Sequence, residues 1–492
     1  YIWATGRLAE VEGESALYSD LRAKLYMTEA EAKAALAASP AWLRELCVAF
    51  ADGVNHYLAS NPEVKPRLLT RFEPWFPMLF SEGSIGGDIE RVSTRKIGAF
   101  YGAEHPQLSQ LHDGLIRLGD DEPRGSNGFA IAGKRTASGK AMLLINPHTS
   151  FYFRGEVHVV SEEGLNAYGA VTWGQFFVYQ GFNEKTGWMH TSTGTDIIDE
   201  FAETIVSKNG GRHYRYGNEL RPLDSLKVGL DYTSDSGMQQ RDFTIYRSHH
   251  GPITHAEDGK WIATALMWDP VTALEQSYVR TKTDGHAAFK QMMDLRRNSS
   301  NNTVFADAEG NIAYYHGNFI PKRDTSFDYT QPVDGSNPAT DWQGLHTVDE
   351  NILVVNPPNG WIQNCNSTPF TAAAAYSPKR ADYPGYMTSF PENWRGVHAI
   401  PLLEKVEKLT LDGLIDLAYD SYLPPMEVAV LGLLAAADVA PLPDSRLPAV
   451  LDSLRNWDYR VRTGSVAMTV TNFYLYAYAR SGLLPSRRMS TT

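Results

Sequence analysis

The chain has 492 residues, 43% hydrophobic and 21% charged, with a formal charge of −12. This is the composition of an ordinary folded protein long enough for more than one core, and the acidic balance argues against nucleic acid or an anionic membrane as partner. Cys47 and Cys365 are the only cysteines, which excludes a disulfide framework or a cysteine-based zinc site, and the best apolar run, Val428 to Ala437, is too short for a membrane span.

The chain opens at Tyr1 with no leader pattern, and its first residues read like the middle of something, processed or incomplete at the start. Residues 1–105 predict a helical segment. Thr28 is followed by the early acids Glu29 and Glu31, and Ser39-Pro40 opens a longer helix that ends at Asn61-Pro62. Its stripe of Leu43, Leu46, Phe50, Val54, Tyr57 and Leu58 reads as core packing. Pro74-Trp75-Phe76-Pro77 is a loop, and residues 106–125 form a linker ending in acids and turn formers, a segment that could be retained or excised.

From residue 126 to the end at 492 the chain is a second unit that begins with strands. Short aromatic and β-branched runs recur at Val157–Val160, Phe176–Tyr179, Gly187–Thr191, Phe243–Tyr246, Trp261–Thr264 and Ile312–Tyr315. A helix is predicted over Ala287–Arg296. Past residue 400 helices return, opened by Thr410, broken by Pro424-Pro425 and resumed over Glu427–Ala437. Helices, then many strands, then helices make an α+β chain rather than alternating βα units.

The stretch Gly125-Ser126-Asn127, followed by two β-runs around Lys134–Lys140, predicts a hairpin. Gly-Ser is also a suitable place to cut a chain. Glycine leaves its carbonyl unhindered, and the serine hydroxyl can attack that carbonyl to form an ester that water opens. The freed α-amine of Ser126 titrates at about 7.7–8.0, close to what a general base needs. Serine or threonine activated by its own terminal amine is a known nucleophile class. Taken alone, the tripeptide also fits an ordinary turn before a strand.

The order of Gly6-Arg7-Leu8-Ala9-Glu10, Ala51-Asp52-Gly53-Val54-Asn55, Pro74-Trp75, Gly125-Ser126 and Trp457-Asp458 resembles the penicillin acylase family of N-terminal-nucleophile hydrolases. The likeness is greatest to its acyl-homoserine lactone acylase and aculeacin acylase branch. Family members normally extend beyond both ends of this chain. The resemblance implies a four-layered αββα sandwich with a helical α-segment wrapping the nucleophile-bearing β-chain. It also implies self-cleavage at Gly125-Ser126 into an α/β heterodimer, export to the periplasm or outside the cell, and hydrolysis of a small acylated amide. N-acyl homoserine lactones are the expected substrates, with β-lactam side-chain removal as the enzymatic alternative. An uncleaved, acyl-binding relative is the non-catalytic alternative.

Carried over by position, the nucleophile is Ser126. His148 stands twenty-two residues on, where the family has His or Gln, and would hold the serine in register. Ser192, in His190-Thr191-Ser192, would supply a backbone N–H to the oxyanion, and the Asn302 side chain a second donor, with Asn301 as runner-up. Arg323 would orient that amide and depress the amine pKa. No cofactor is required. Asp196, Ile198 and Asp199 match the family's calcium ligands, so a structural calcium is possible, although Gly98 stands where the helical segment normally contributes an acid. Phe151, Trp173, Phe176 and Trp188 are candidates for an acyl pocket or, equally, core aromatics. His249-His250 reads as a loop without acids at ligand spacing.

Overall fold

The computed structural model describes residues 1–79, 89–102, 125–149, 154–298, 301–439 and 444–481. The linker expected before Gly125 and the candidate Phe151 lie outside the described residues.

The helical start follows its cap chemistry. Thr28 and Glu31 form a reciprocal capping box at the head of the helix Glu29–Ala38. The helix Ala41–Ser60 buries Leu43, Cys47 and Ala51, so its inner face carries smaller residues than the large apolar stripe suggested, and Tyr57 is exposed. The helices Leu17–Tyr26 and Thr94–Tyr101 bury Leu17, Leu21, Leu25 and Ile97 against Leu230, Phe243 and Ile245 of a six-stranded sheet.

Two other sheets are stacked. The smaller is three-stranded, with Gly125–Ile131 between Trp361–Asn364 and Met142–His148. The larger is seven-stranded and contains Thr186–Ser192 beside Asn301–Asp307. Alternation along each strand sends one set of side chains between the sheets and the other set outward. Ala130, Leu143, Ile145, Met189, Val304 and Ile362 fill the space between. Outward from the small sheet, Phe129, Ile131 and Trp361 meet Ala399 and Leu403 of the helix Trp394–Glu404. Outward from the large sheet, Trp188 and Phe305 meet Phe289, Met292 and Met293 of the helix His286–Met293.

Gly128 lets the sheets approach. A Cβ there would lie 2.9 Å from Met189 Cγ and 3.2 Å from Val304 Cγ2. The hairpin holds Ser126 opposite Pro147 and Gly128 opposite Ile145, so Ser126 faces the interior between the two sheets.

Two sequence expectations change. Phe176–Tyr179 is not a strand; the strand begins at Gln180, and the preceding aromatics turn inward to pack on the helical segment, Phe177 and Tyr179 within one core with Leu43 and Phe76. Pro424-Pro425 does not break a helix but opens one, Pro424–Val439, as prolines do where no N–H is needed. Among the described residues no helix is long and apolar enough to cross a membrane.

Candidate active site

Three chain segments converge on Ser126. Its N–H donates to Asn366 Oδ1 at 2.6 Å, and its hydroxyl donates to the Gly125 carbonyl at 2.6 Å. The residue is buried. Gly125 has φ +146°, and a Cβ on it would lie 3.0 Å from Arg395 Nη2, 3.0 Å from Asn366 Oδ1 and 3.3 Å from His148 Nδ1. Glycine is required there by both conformation and space.

Asn366 follows the strand Trp361–Asn364 and sits at φ +56°, in the left-handed region that asparagine tolerates better than most residues. Its N–H is held by Asn364 Oδ1 at 3.0 Å, and its Nδ2 donates to the Ser192 carbonyl at 3.2 Å. Arg395 lies in the first turn of Trp394–Glu404, where Asn393 Oδ1 caps the N–H groups of Arg395 and Gly396 at 3.0 and 3.1 Å. Its Nη1 donates to the Ser126 carbonyl and to Asn127 Oδ1, both at 2.8 Å, and Nη2 to Asn366 Oδ1 at 2.9 Å. Burial pulls this guanidinium below its ordinary pKa.

His148 lies beside this group. Its Nε2 is 3.0 Å from Asn146 Oδ1 and 3.5 Å from Asn127 Nδ2. Burial, and secondarily the charge of Arg395, lower its pKa, so the ring is neutral at pH 7 and orients its neighbours without adding charge.

Not every residue expected from sequence joins this group. Asn302 is buried one layer below. Its Nδ2 points to Thr191 Oγ1 at 3.1 Å, the Ser192 carbonyl at 3.3 Å and Asn364 Oδ1 at 3.4 Å. It has no donor left for a substrate oxyanion and acts as a support for Ser192 and Asn364. Asn301 Nδ2 donates to Asn298. Ser192 lies at the rim, opposite Asn301 in the sheet register, with its carbonyl shared by Asn302 and Asn366.

Arg323 is not beside the serine either. Its side chain is fully buried and pairs with Asp199, Nε to Oδ2 at 2.6 Å and Nη2 to Oδ1 at 3.1 Å. The arginine at the serine is Arg395. Of the two pairs, the structure leaves Asn302 and Arg323 away from Ser126 and brings Asn366 and Arg395 to it. A signal for them was legible: an arginine in the first turn of a helix opposes the helix dipole, and Asn364-Cys365-Asn366 concentrates amides at a strand end.

Of the apolar candidates, Trp188 is fully buried in the outer core with its indole N–H on the Tyr179 carbonyl at 3.0 Å. It faces away from Ser126 and is a core residue. Trp173 is 64% exposed. Phe176 packs on Phe50 and Tyr278, with ring centroids at 5.9 and 6.3 Å. A cavity of about 590 Å³ opens between the sheets, lined by Met142, Leu143, Ile145 and Pro147 on one side and Ala170 and Phe182 on the other.

The residues read as calcium ligands fail a simple test of fit. Calcium takes 6–8 oxygens, yet both carboxylate oxygens of Asp199 are held by Arg323, and the Asp196 carbonyl accepts from Arg323 Nη2 at 2.9 Å. His249-His250, read as a loop without acids, is supplied with them by the fold. His250 Nδ1 lies 2.8 Å from Glu203 and Nε2 3.0 Å from Asp341. Both ring nitrogens are used, which makes this a hydrogen-bonded network.

The penicillin amidase family model matches residues 1–487. The chain belongs to the penicillin amidase family. It is 27% identical to penicillin G acylase of Escherichia coli over 68% of this chain and 39% of that one. It is 24% identical to the penicillin acylase 2 proenzyme of a Pseudomonas strain over 98% of this chain and 67% of that protein. To the acyl-homoserine lactone acylase PvdQ of Pseudomonas putida it is 25% identical over 70% of this chain and 48% of the relative. The chain thus spans less than half the length of the first and third of these proteins. Among solved structures, a thermostable penicillin G acylase from Alcaligenes faecalis superposes with a TM-score of 0.57 at 20% identity, covering 74% of this chain and 66% of that one. This is a likeness of fold, and it carries a mixed helix-and-sheet architecture.

Proposed function

We propose that this penicillin amidase family chain is a self-processing amide hydrolase that removes an acyl chain from a small N-acylated molecule, with Ser126 as nucleophile. The observation that carries the reading is the convergence of Gly125, Asn366, Arg395 and His148 on one buried serine. The stacked sheets with helices on their outer faces are, in this reading, the αββα sandwich of N-terminal-nucleophile hydrolases. Residues up to 105 form the α-segment and residues from 126 the β-chain.

In processing, Ser126 Oγ attacks the Gly125 carbonyl carbon, the peptide C–N bond breaks, and the Ser126 nitrogen leaves as an amine. Water opens the resulting ester and frees the hydroxyl. In turnover, Oγ attacks the substrate acyl carbonyl while the Ser126 amine takes its proton. The oxyanion is held by Asn366 Nδ2 and the Ser192 backbone N–H, and removing one such donor typically costs about 2.7–4 kcal/mol. Arg395 fixes Asn366 through Oδ1, which directs Nδ2 into the site. Its charge also keeps the amine pKa low enough to act as base. The protonated amine donates to the leaving nitrogen, and water then releases the acid.

The acyl chain is assigned to the cavity between the sheets. Pro147, one of its walls, is the cross-strand partner of Ser126, and Leu143, Ile145, Ala170 and Phe182 give an aliphatic chain apolar contacts, while Glu156, Glu184, Lys185 and Asp307 make part of the lining polar. An N-acyl homoserine lactone fits this reading best, supported by His148 and by the lactone acylases among the relatives. In the cell the protein would be an exported α/β heterodimer.

Denaturing electrophoresis with N-terminal sequencing tests processing. Two fragments are expected, one starting Ser-Asn-Gly-Phe. A single band in active material refutes the mechanism. Lactones of graded acyl length, assayed beside benzylpenicillin, test the acyl group; faster turnover of benzylpenicillin would move the assignment to β-lactam acylases.

A further inference from the structure

The loop between Ser192 and Asp199 connects the rim of the candidate active site to the six-stranded sheet. Its end is fastened by one side chain. Arg323 reaches in from the segment after Pro321, spans both oxygens of Asp199 and binds the Asp196 carbonyl at 2.9 Å. The side chains of Arg323 and Asp199 are 0% and 1% exposed. Trp342 Nε1 donates to the same Asp199 Oδ2 at 2.5 Å. The guanidinium carbon lies 5.6 and 5.1 Å from the Tyr329 and Tyr386 ring centres, within cation–π range. Asp196 Oδ1 stands 4.0 Å from Nη2, so a second carboxylate faces the same charge.

A bound divalent cation would need these same oxygens, and it would be repelled by the guanidinium that holds them. The helical segment makes a second, independent contribution. At Gly98 a Cβ would lie 2.9 Å from Tyr18 Cε2 and 3.0 Å from Cδ2, so no acidic side chain can be placed there without displacing a ring of the core.

We propose that Arg323 is the built-in cation of this loop: its guanidinium does by covalent attachment what a bound calcium ion would do, and the fold is independent of calcium. Asp196 and Asp199 are then not metal ligands but the acceptors of an internal charge. The anchoring is permanent, so the loop carrying the rim of the site is held whether or not calcium is present. This inference does not depend on what acyl group is cleaved, or on whether cleavage occurs.

The test uses the whole chain. Thermal unfolding is followed after chelation and again in millimolar calcium, and terbium is titrated while exciting tryptophan, with Trp342 adjacent to the acceptors. The wild type is expected to shift by less than about 1 °C, because a ligand that does not bind the folded state adds nothing to it, and to show no saturable terbium emission. A rise of several degrees in calcium, or stoichiometric terbium emission, overturns the proposal. Arg323→Ala removes the charge and leaves the acceptors facing a gap; it is expected to melt lower, to recover part of the loss in calcium, and to gain terbium emission. A folded Arg323→Ala protein that takes up no terbium also overturns the equivalence of guanidinium and ion. Should Arg323→Ala not fold, Arg323→Lys keeps one charge in place and is expected to melt lower than wild type with no response to calcium; a calcium response in Arg323→Lys counts against the proposal.

Discussion

Arg395 and Arg323 offer a direct contest between two arginines for the role beside the nucleophile. Arg395→Met keeps the aliphatic stem of the side chain and deletes its three charge-assisted hydrogen bonds, to the Ser126 carbonyl, Asn127 Oδ1 and Asn366 Oδ1 at 2.8, 2.8 and 2.9 Å. Two effects follow. Bonds of this kind contribute about 1.5–3 kcal/mol each where the acceptors are shielded. Arg395 is only half-buried, and water replaces part of the loss, so the fold should lose about 2 kcal/mol rather than the full sum. The larger effect is on chemistry. With the Arg395 bond gone, Asn366 Oδ1 keeps the Ser126 N–H and Nδ2 keeps the Ser192 carbonyl, so the amide is held by one bond fewer and its Nδ2 is less firmly aimed at the reacting carbonyl. Loss of one oriented donor costs about 2.7–4 kcal/mol, or about 10²–10³ in kcat.

The assay is kcat on an N-acyl homoserine lactone, normalised to processed protein by electrophoresis, with thermal unfolding measured in parallel. Arg323→Gln, by contrast, should lower the melting temperature by several degrees, since it leaves Asp199 buried without its counter-charge, while kcat per folded molecule falls far less than in Arg395→Met, because Arg323 holds the far end of the loop and does not touch the serine. The reasoning is refuted if the outcomes are exchanged: a well-folded Arg323→Gln protein that is catalytically dead, beside an Arg395→Met protein with unchanged kcat.

Gly128→Ala should destabilise by about 1–3 kcal/mol in urea unfolding, because its Cβ would sit 2.9 Å from Met189 Cγ and 3.2 Å from Val304 Cγ2 between the two sheets. Ala170→Phe, which extends into the cavity beside Phe182, should lower kcat/KM for long acyl chains by about tenfold or more relative to short ones, measured across the lactone series. His316 tests acid stability. Burial pushes it down to about 4, whereas the unfolded chain takes the proton near 6.5. The unfolded state therefore binds more protons between those values, and stability is lost as pH falls through that window. Relative to His316→Gln, the wild type should lose about 1.4 kcal/mol more between pH 7.5 and 5.5. Comparison with the variant cancels Asp196, which burial holds up at about 6 and which slopes the other way. Equal slopes in urea midpoint for the two proteins would contradict the buried, neutral assignment of His316.

How much of this was legible in the sequence depended on whether the cause was local. Thr28 with Glu31, the Lys134–Lys140 turn, and the short aromatic and β-branched runs at Gly187–Thr191 and Ile312–Tyr315 specify their own structure through caps, turns and strand propensity, and they form as expected. Ser126 was singled out through the order of motifs around it, since Gly125-Ser126-Asn127 alone also fits an ordinary turn. Phe176–Tyr179 failed because four aromatic or branched residues satisfy strand propensity, while burial against Leu43 and Phe76 decides their conformation.

The site partners were harder for a related reason. Asn366 and Arg395 act at Ser126 from 240 and 269 residues away, so no spacing encodes them. Asn302 and Arg323 were chosen on local motifs that also suit buried structural roles. The sequence did contain a discriminating fact, one that concerns stability rather than resemblance. An arginine in the first turn of a helix sits where the helix dipole disfavours a cation, and nothing within its own helix offsets that. Asn393 caps the backbone around it, while the guanidinium itself donates to oxygens brought in from Ser126, Asn127 and Asn366. Arg323 carries no such local penalty, and its partner is an ordinary carboxylate. Where a residue stands against its local preference, the compensating contacts must come from elsewhere in the fold, and here they come from the group gathered around the serine.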